Sequence, residues 1–154
     1  MKRRMKRRKI NTALVFALAA ALLLPFTGCS SETKNTEYTD GTYSGRSSDF
    51  ADDESGNGAG YGTVEVTVKD NKVVSCTFKM FELDGTLKDE TYGADLSREN
   101  RLKAQKAVQS APKYAAMLEK SGTLDGIDAI SGATVSYNEF KEAVGDALKK
   151  AEKQ

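Results

Sequence analysis

Apolar and polar residues alternate along two neighbouring stretches, strictly over residues 63–68 (TVEVTV) and less regularly over residues 72–81 (KVVSCTFKMF). Alternation with a period of two is typical of a β-strand that buries one face. The apolar positions expected on that face are Val64, Val66 and Val68 in the first stretch, and Val74, Cys76, Phe78 and Met80 in the second. Asp70 and Asn71 lie between the stretches and are residue types that form tight turns. The pattern therefore predicts an antiparallel hairpin.

Turn-forming residues precede this hairpin. Residues 40–45 (DGTYSG) predict a turn that enters a short strand, and residues 55–62 (SGNGAGYG) predict a glycine-rich loop. A polar stretch without aliphatic residues, 30–39, comes before the strand. Folding is therefore expected to begin near Asp40.

Helical patterns follow the strands. Residues 97–109 predict a helix that starts near Ser97. Pro112 is expected to interrupt it, with a second helical piece over 112–120, because proline is tolerated in a first turn. Gly122 is expected to end that piece.

The last part of the chain predicts one more helix. Residues 137–151 carry apolar side chains at three- and four-residue spacing, which indicates an amphipathic helix. Ser136 and Glu139 fit a capping box that would open it. Since strands come first along the chain and helices follow, the expected fold class is α+β, a small antiparallel sheet covered by helices.

The N-terminus differs in character from the rest of the chain. Seven Lys and Arg residues fall within the first nine positions, and an apolar run follows at residues 13–26 (ALVFALAAALLLPF). This run is shorter than the roughly 20 residues that span a bilayer, so residues 1–28 are expected to form a signal peptide. The segment ends in FTGCS, which resembles the lipobox of bacterial lipoproteins. That resemblance implies acylation of Cys29; the alternative is a plain signal peptide, or an uncleaved anchor, that happens to contain a cysteine.

These features predict the order of segments along the chain. Residues 1–28 are the lipoprotein signal peptide, 29–39 a lipid-anchored flexible tether, and 40–154 the folded domain. Acyl chains on Cys29 would hold the protein at a membrane. The expected location is extracytoplasmic, on the cell membrane. The residue after the cysteine is Ser30 and not Asp, so the chain lacks a retention signal of the Asp type. Sorting to an outer membrane is therefore permitted if the organism has one.

Composition excludes several classes of function. Beyond the first nine positions, acidic residues exceed basic ones by six, which argues against nucleic acid as a partner because phosphate contacts need clustered Lys and Arg. The chain has no histidine, which excludes Ser-His-Asp and Cys-His nucleophile systems and His-ligated zinc. Cys76 is the one cysteine left beside Cys29, and we expect it to be a buried apolar residue and not a redox thiol.

One short segment, residues 128–136 (DAISGATVS), carries candidate chemistry. It resembles the flavinylation motif of the FMN-binding domain family, in which an Asp stands shortly before Ser/Thr-Gly-Ala and a final Thr or Ser. The matching positions are Asp128, Ser131, Gly132, Ala133 and Thr134. The segment DGTYSG at 40–45 also resembles the opening of that family's domain. Small membrane-anchored lipoproteins are the branch that the chain resembles most.

The resemblance implies a cofactor and the way it is attached. In the family, FMN is joined through its phosphate to the last Thr or Ser of the motif, so the acceptor implied here is Thr134. A separate Mg²⁺-dependent flavin transferase donates the group from FAD. Because the chain has no histidine that could activate the threonine hydroxyl, catalysis by another protein also agrees with the composition.

The position of Thr134 suits an anion. It precedes the predicted C-terminal helix, whose first N–H groups and positive dipole end favour negative charge. Gly132 and Ala133 are small and would let the backbone approach a phosphoryl group. Two alternatives stay open, namely a noncovalent or degenerate FMN domain, and an ordinary loop that leads into a helix. Five aromatic residues are candidates for stacking on a flavin, although core or loop packing explains them more simply: Tyr43, Tyr61, Phe78, Phe81 and Tyr92.

The function predicted is that of a flavoprotein that carries electrons, and not of a self-sufficient enzyme; no metal site is predicted. The expected partners are the flavin transferase, a membrane dehydrogenase, quinol or other electron carriers, and the membrane through the N-terminal lipid. The competing hypothesis is a non-redox surface lipoprotein, or a noncovalent module for FMN or another ligand, with the same fold.

Overall fold

A three-stranded antiparallel sheet forms one layer of the structure. The computed structural model describes residues 36–52 and 58–154, all within one unit of the chain, Lys34–Gln154. The predictions for the signal peptide, for Cys29 and for the first part of the tether lie outside the described residues. In the part that the structure describes, the strands lie side by side in chain order: β1 (Gly41–Arg46), β2 (Tyr61–Lys69) and β3 (Lys72–Phe81).

The turn between β2 and β3 is the one that the sequence predicts. Asp70 and Asn71 adopt left-handed backbone angles, with φ of 50° and 64°. Two-residue hairpin turns require such angles, and Asp and Asn tolerate them better than most residues. The predicted valines of β2, from Val64 to Val68, are buried on one face. The hairpin is therefore confirmed.

One predicted core position of β3 is wrong. A β-bulge lies where Thr67 pairs with Ser75 and Val68 pairs with Val73, so Val74 has no partner in the register. An extra residue inverts the alternation on one side of the bulge. As a result Val73 is buried, whereas the side chain predicted to be inside, that of Val74, is 51% exposed.

A single long helix, α1 (Arg98–Ser121), replaces the two helical pieces predicted around Pro112. The side chain of Ser97 accepts a hydrogen bond from the Asn100 N–H at its start, and Gly122 ends it with a left-handed φ of 75°. Proline inside a helix costs about 3 kcal/mol because it has no N–H to donate. Burial of apolar side chains on both sides of Pro112 offsets this cost, and these side chains are Ala104, Ala111, Tyr114, Ala115 and Leu118.

The second helix, α2 (Thr134–Ala151), starts three residues before the predicted 137. The predicted capping box is wrong, because Ser136 and Glu139 are buried residues within the helix and Ala133 occupies the N-cap position without a side-chain hydrogen bond. The Tyr137 N–H donates to the Ala133 carbonyl at 3.0 Å, which closes the first helical turn earlier than the sequence predicts.

Both helices cover the same face of the sheet. α1 packs chiefly on β3, and α2 packs on β1 and β2. Phe140 of α2 lies at the centre of the core, 5.2 Å from the ring of Phe78 and 5.5 Å from the ring of Tyr114. The predicted α+β class, a small antiparallel sheet covered by helices, is confirmed.

The described residues before β1 are joined to the end of α2. The Thr39 N–H donates to the carbonyl of Ala151, and the Lys153 N–H donates to the carbonyl of Glu37. Glu37 and Thr39 therefore contact the domain ahead of β1. Within the described ranges, no helix has both the length and the apolar character needed to cross a membrane.

Two glycines allow a matched test of the helix-on-sheet packing. A Cβ on Gly45 of β1 would collide with backbone atoms of Ala143 and Ala147 in α2, whereas a Cβ on Gly145 meets nothing within 4 Å. We expect Gly45→Ala to lower the free energy of unfolding by roughly 2–3 kcal/mol. Gly145→Ala is expected to raise it by about 0.5–1 kcal/mol, because alanine favours the helix. Urea denaturation measures both, and a neutral Gly45→Ala would contradict the close approach of β1 and α2.

Candidate functional site

A tight turn presents the segment that the sequence singled out. The Ala133 N–H donates to the Ile130 carbonyl at 2.9 Å, and Gly132 within the turn has a φ of 75°, which favours glycine. A Cβ on Gly132 would lie 2.8 Å from Nζ of Lys106. The turn therefore favours glycine at position 132 because of its backbone angle, and the Lys106 ammonium lies close beside it.

Two tyrosines hold this turn against the core. The Tyr114 hydroxyl accepts a hydrogen bond from the Ile130 N–H at 2.8 Å and donates to the Ala133 carbonyl at 3.2 Å. The Tyr137 hydroxyl donates to the Ile127 carbonyl at 2.7 Å. Because the Tyr114 side chain is fully buried, both ends of the turn are fixed to the interior of the domain.

The five residues predicted to bind the cofactor all lie in this segment. Asp128, Ser131 and Gly132 are exposed, Ala133 is buried, and Thr134 is exposed as the first residue of α2. The first N–H groups of a helix have no partner within it, and Ala133 supplies no side-chain cap. Thr134 therefore stands at an uncapped helix start with its side chain accessible.

Lysines of α1 add positive charge beside the helix start. Lys106 approaches Gly132 closely, and Lys103 lines a neighbouring cleft while forming an exposed ion pair with Glu99 at 3.4 Å. Sequence reasoning missed both lysines. The sequence marks these two lysines only by their spacing of three residues on one helix, and such spacing is common on solvent-exposed faces. The approach of Lys106 to Gly132 depends on how α1 packs, which the sequence does not reveal.

A small cleft lies next to this segment, between α1, α2 and the end of β3. Its cavity volume is about 30 Å³, room for roughly one or two water molecules. Residues on both sides of Thr134 line it, namely Gly132, Ala133, Val135 and Ser136, but Thr134 itself does not.

Glu139 is the acidic residue of the cleft. The residue is 1% exposed, and within residues 36–52 and 58–154 no atom forms a hydrogen bond with its Oε1. Burial raises the pKa of Glu139 to about 7, an effect that the charge of Lys88 partly opposes. This residue was misread as part of a capping box, and only its burial reveals it.

Lys88 lies across the cleft from α2. It is 8% exposed, its Nζ donates to the Gly58 carbonyl at 3.1 Å, and it stands 5.0 Å from the centre of the Tyr92 ring. Burial lowers the pKa of the Lys88 ammonium. A buried lysine and a buried glutamate thus face the same small space.

Other candidate residues serve packing. Cys76 is buried as predicted, and burial together with the charge of Glu119 raises the pKa of its thiol to about 12, which suppresses the reactive thiolate. Among the five aromatic candidates, Phe78 packs in the core, and Tyr61 stacks on Phe81 with ring centres 5.4 Å apart. Tyr92 lines the cleft.

Comparison with known proteins decides the family. The family model described as FMN-binding domain matches residues 59–149. The chain belongs to the FMN-binding domain family. The resemblance seen in the sequence is thereby confirmed, and the domain is a flavin-binding module.

Solved structures similar to this FMN-binding domain come from two Clostridium species. The crystal structure of the CPE2226 protein from Clostridium perfringens shares the fold with a TM-score of 0.53 at 24% identity, over 74% of this chain and 88% of that one. A solution NMR structure from Clostridium thermocellum is 33% identical over 75% of this chain and 93% of that one, with a TM-score of 0.37. No curated protein matches the chain.

The residues present fit FMN at its phosphate end. An uncapped helix start, an exposed threonine hydroxyl and the ammonium group of Lys106 suit a phosphate ester. The cleft beside them has room for a hydroxyl-sized group and not for an aromatic ring. The flavin ring of this FMN-binding domain would therefore lie outside the cleft.

Glu139 gives the flavin-free domain a specific dependence on pH. Its pKa is about 7 in the folded chain against an ordinary value of 4.5, so between these values the folded state binds a proton that the unfolded chain has released. The stability that this bound proton adds is complete below about pH 4.5 and is lost as the pH rises through 7, a change of roughly 3 kcal/mol. Urea denaturation at several pH values measures this loss.

Two substitutions isolate the effect. Glu139→Gln cannot titrate and is expected to remove this fall in stability. Glu142→Gln alters an exposed carboxylate of the same helix whose charge raises the pKa of Glu139 less than burial does, and it is expected to keep most of the fall. Equal pH profiles for the original chain and Glu139→Gln would contradict the raised pKa.

Proposed function

We propose that this protein carries FMN covalently through a phosphodiester bond to Thr134 and transfers electrons at the outer face of the cytoplasmic membrane. The observation that carries the proposal is the exposed hydroxyl of Thr134 at an uncapped helix start, close to the turn that Lys106 approaches. A phosphodiester there would sit near the N–H groups at the start of α2 and near a cation. Bound FMN supplies the redox chemistry, because it accepts and releases one or two electrons.

A separate flavin transferase would attach the group from FAD. Threonine is a weak nucleophile that needs an activating base, and the chain has no histidine to serve as one. Asp128 and Ser131 are exposed on the same segment, where a transferase could contact them. The hydrogen bonds of Tyr114 would keep the segment in one conformation during recognition.

The protein itself would act as a carrier. Its own residues would fix the phosphate and orient the flavin, while a membrane dehydrogenase or quinol supplies electrons and another carrier accepts them. Lipid on Cys29 would keep this exchange at the membrane through the tether of residues 29–39. The location on the cell membrane, or on an outer membrane if one exists, follows from that anchor.

Replacement of the acceptor hydroxyl tests the covalent bond. We expect the chain coexpressed with a flavin transferase to gain the mass of FMN minus water and a yellow colour that survives denaturation. Thr134→Ala should abolish both, and Thr134→Ser should keep partial labelling because a hydroxyl remains. Thr123→Ala, which alters another exposed threonine, is the matched control and should label fully.

Peptide mapping decides between this proposal and its competitors. Flavin on Ser131, on Ser136 or outside the 128–136 segment would refute the assignment to Thr134. Reversibly bound FMN without a mass increase would favour a noncovalent module. A colourless protein would favour a surface lipoprotein without redox function.

The membrane anchor has its own test. Cys29→Ser is expected to shift the protein from the membrane fraction to the soluble fraction after cell lysis, because acylation needs the cysteine sulfur. Ser30→Ala, which changes the adjacent residue and keeps the cysteine, should leave the distribution unchanged. Membrane retention of the Cys29→Ser chain would contradict lipidation at this position.

A further inference from the structure

The buried carboxylate in the cleft lacks a partner for one of its oxygens. Among the residues that the structure describes, none forms a hydrogen bond with Oε1 of Glu139, although the residue is 1% exposed. An unsatisfied buried polar group costs free energy of folding, and it costs more if it is charged. A hydrogen-bond donor from outside the chain would remove this cost.

Lys88, the buried lysine of the cleft, does not donate a hydrogen bond to Oε1 of Glu139. Nζ of Lys88 donates to the Gly58 carbonyl at 3.1 Å and stands over the Tyr92 ring, and its effect on Glu139 is that of a nearby charge. Ser136 also lines the cleft, but no hydrogen bond joins its hydroxyl to Glu139 Oε1. Oε1 therefore keeps an unused acceptor position in a residue that lines the cleft.

The size of the cleft limits what that ligand group can be. A cavity volume of about 30 Å³ admits a hydroxyl group and excludes a ring. Thr134 does not line the cleft, but Gly132 and Ala133, the small residues just before it, do. Glu139 follows Thr134 on the same helix at a rise of about 7.5 Å and about 140° around the axis, so a group held on Thr134 would curve around the helix start to reach the cleft.

We infer that Oε1 of Glu139 accepts a hydrogen bond from a ribityl hydroxyl of the flavin whose phosphate is held on Thr134. The ribityl chain joins the phosphate to the ring, so its hydroxyls are the donors that lie within this short reach of the attachment point. Glu139 thereby positions the flavin by holding its flexible arm at the start of α2. This inference rests on the proposed linkage to Thr134.

Removal of the acceptor oxygen tests the inference in the flavin-loaded chain. Each variant is coexpressed with the transferase, and the mass increment shows that Thr134 carries FMN. Quenching of the flavin fluorescence by iodide then measures how often the flavin leaves its docked position. Glu139→Leu is expected to raise the ratio of undocked to docked flavin roughly fivefold, the equivalent of one hydrogen bond.

Two further variants separate hydrogen bonding from charge and from folding. Glu139→Gln keeps an acceptor oxygen of similar shape and should restore most of the protection. Glu142→Gln removes an exposed carboxylate of the same helix and should quench like the original chain. Glu139→Leu should unfold at the same or a higher urea concentration, because apolar replacement of a buried charge is often neutral or stabilising.

The flavin resonances identify the donor. In Glu139→Leu, carbon resonances of the ribityl chain should shift while the N3 resonance of the ring stays in place. A shift of N3 alone would assign the hydrogen bond to the ring and overturn the ribityl assignment. Equal iodide quenching in the original chain and in Glu139→Leu would overturn the inference as a whole.

A measurement on the original chain covers the case in which Glu139→Leu takes up no flavin. A hydrogen bond couples the ribityl hydroxyl to the carboxylate, so in the loaded chain the ribityl carbon resonances should shift with pH at the same midpoint as the NMR signal of the Glu139 carboxyl carbon. Ribityl resonances that do not follow the titration of Glu139 in a loaded chain would count against the inference. Absence of FMN from Thr134 is seen separately in the mass spectrum and would refute the proposed function instead.

Discussion

The structure depends on the packing of two helices against one face of a hairpin, and Tyr114 links that packing to the candidate site. Its ring stacks on Phe140 in the core, while its hydroxyl bonds both ends of the turn between Ile130 and Ala133. The hydrogen bonds depend on the ring stacking, because the hydroxyl can reach the turn only if the ring is held in place. Core packing thereby sets the position at which α2 begins and at which Thr134 is exposed.

The electrostatic environment differs between the two sides of the helix start. The free N–H groups of α2 and the ammonium of Lys106 favour an anion near Gly132. On the cleft side, Glu139 and Lys88 are both buried. Burial raises the pKa of Glu139 and lowers the pKa of Lys88, so it favours the neutral form of each side chain. FMN combines two groups that match these environments. Its phosphate suits the helix start beside Lys106, and its hydroxyl-bearing ribityl chain suits the cleft.

The chain brings little chemical reactivity of its own to this site. It has no histidine, and its described cysteine, Cys76, has a thiol whose pKa is raised to about 12 by burial. A domain of this kind binds and orients a cofactor and leaves the chemistry to it. Membership in the FMN-binding domain family agrees with that division of roles.

The sequence by itself determined the features that depend on local order. Alternation and the Asp70-Asn71 turn define the hairpin, and the contiguous 128–136 segment brings the motif residues together without any help from the fold. The tertiary structure decided what depends on contacts between distant residues. The bulge exposes Val74, burial of apolar side chains on both sides of Pro112 lets α1 continue through it, and the packing of α2 on the sheet buries Glu139. Lys106 and Tyr114 reach the turn only because α1 packs beside it, and no local pattern encodes a contact between residues so far apart in the chain.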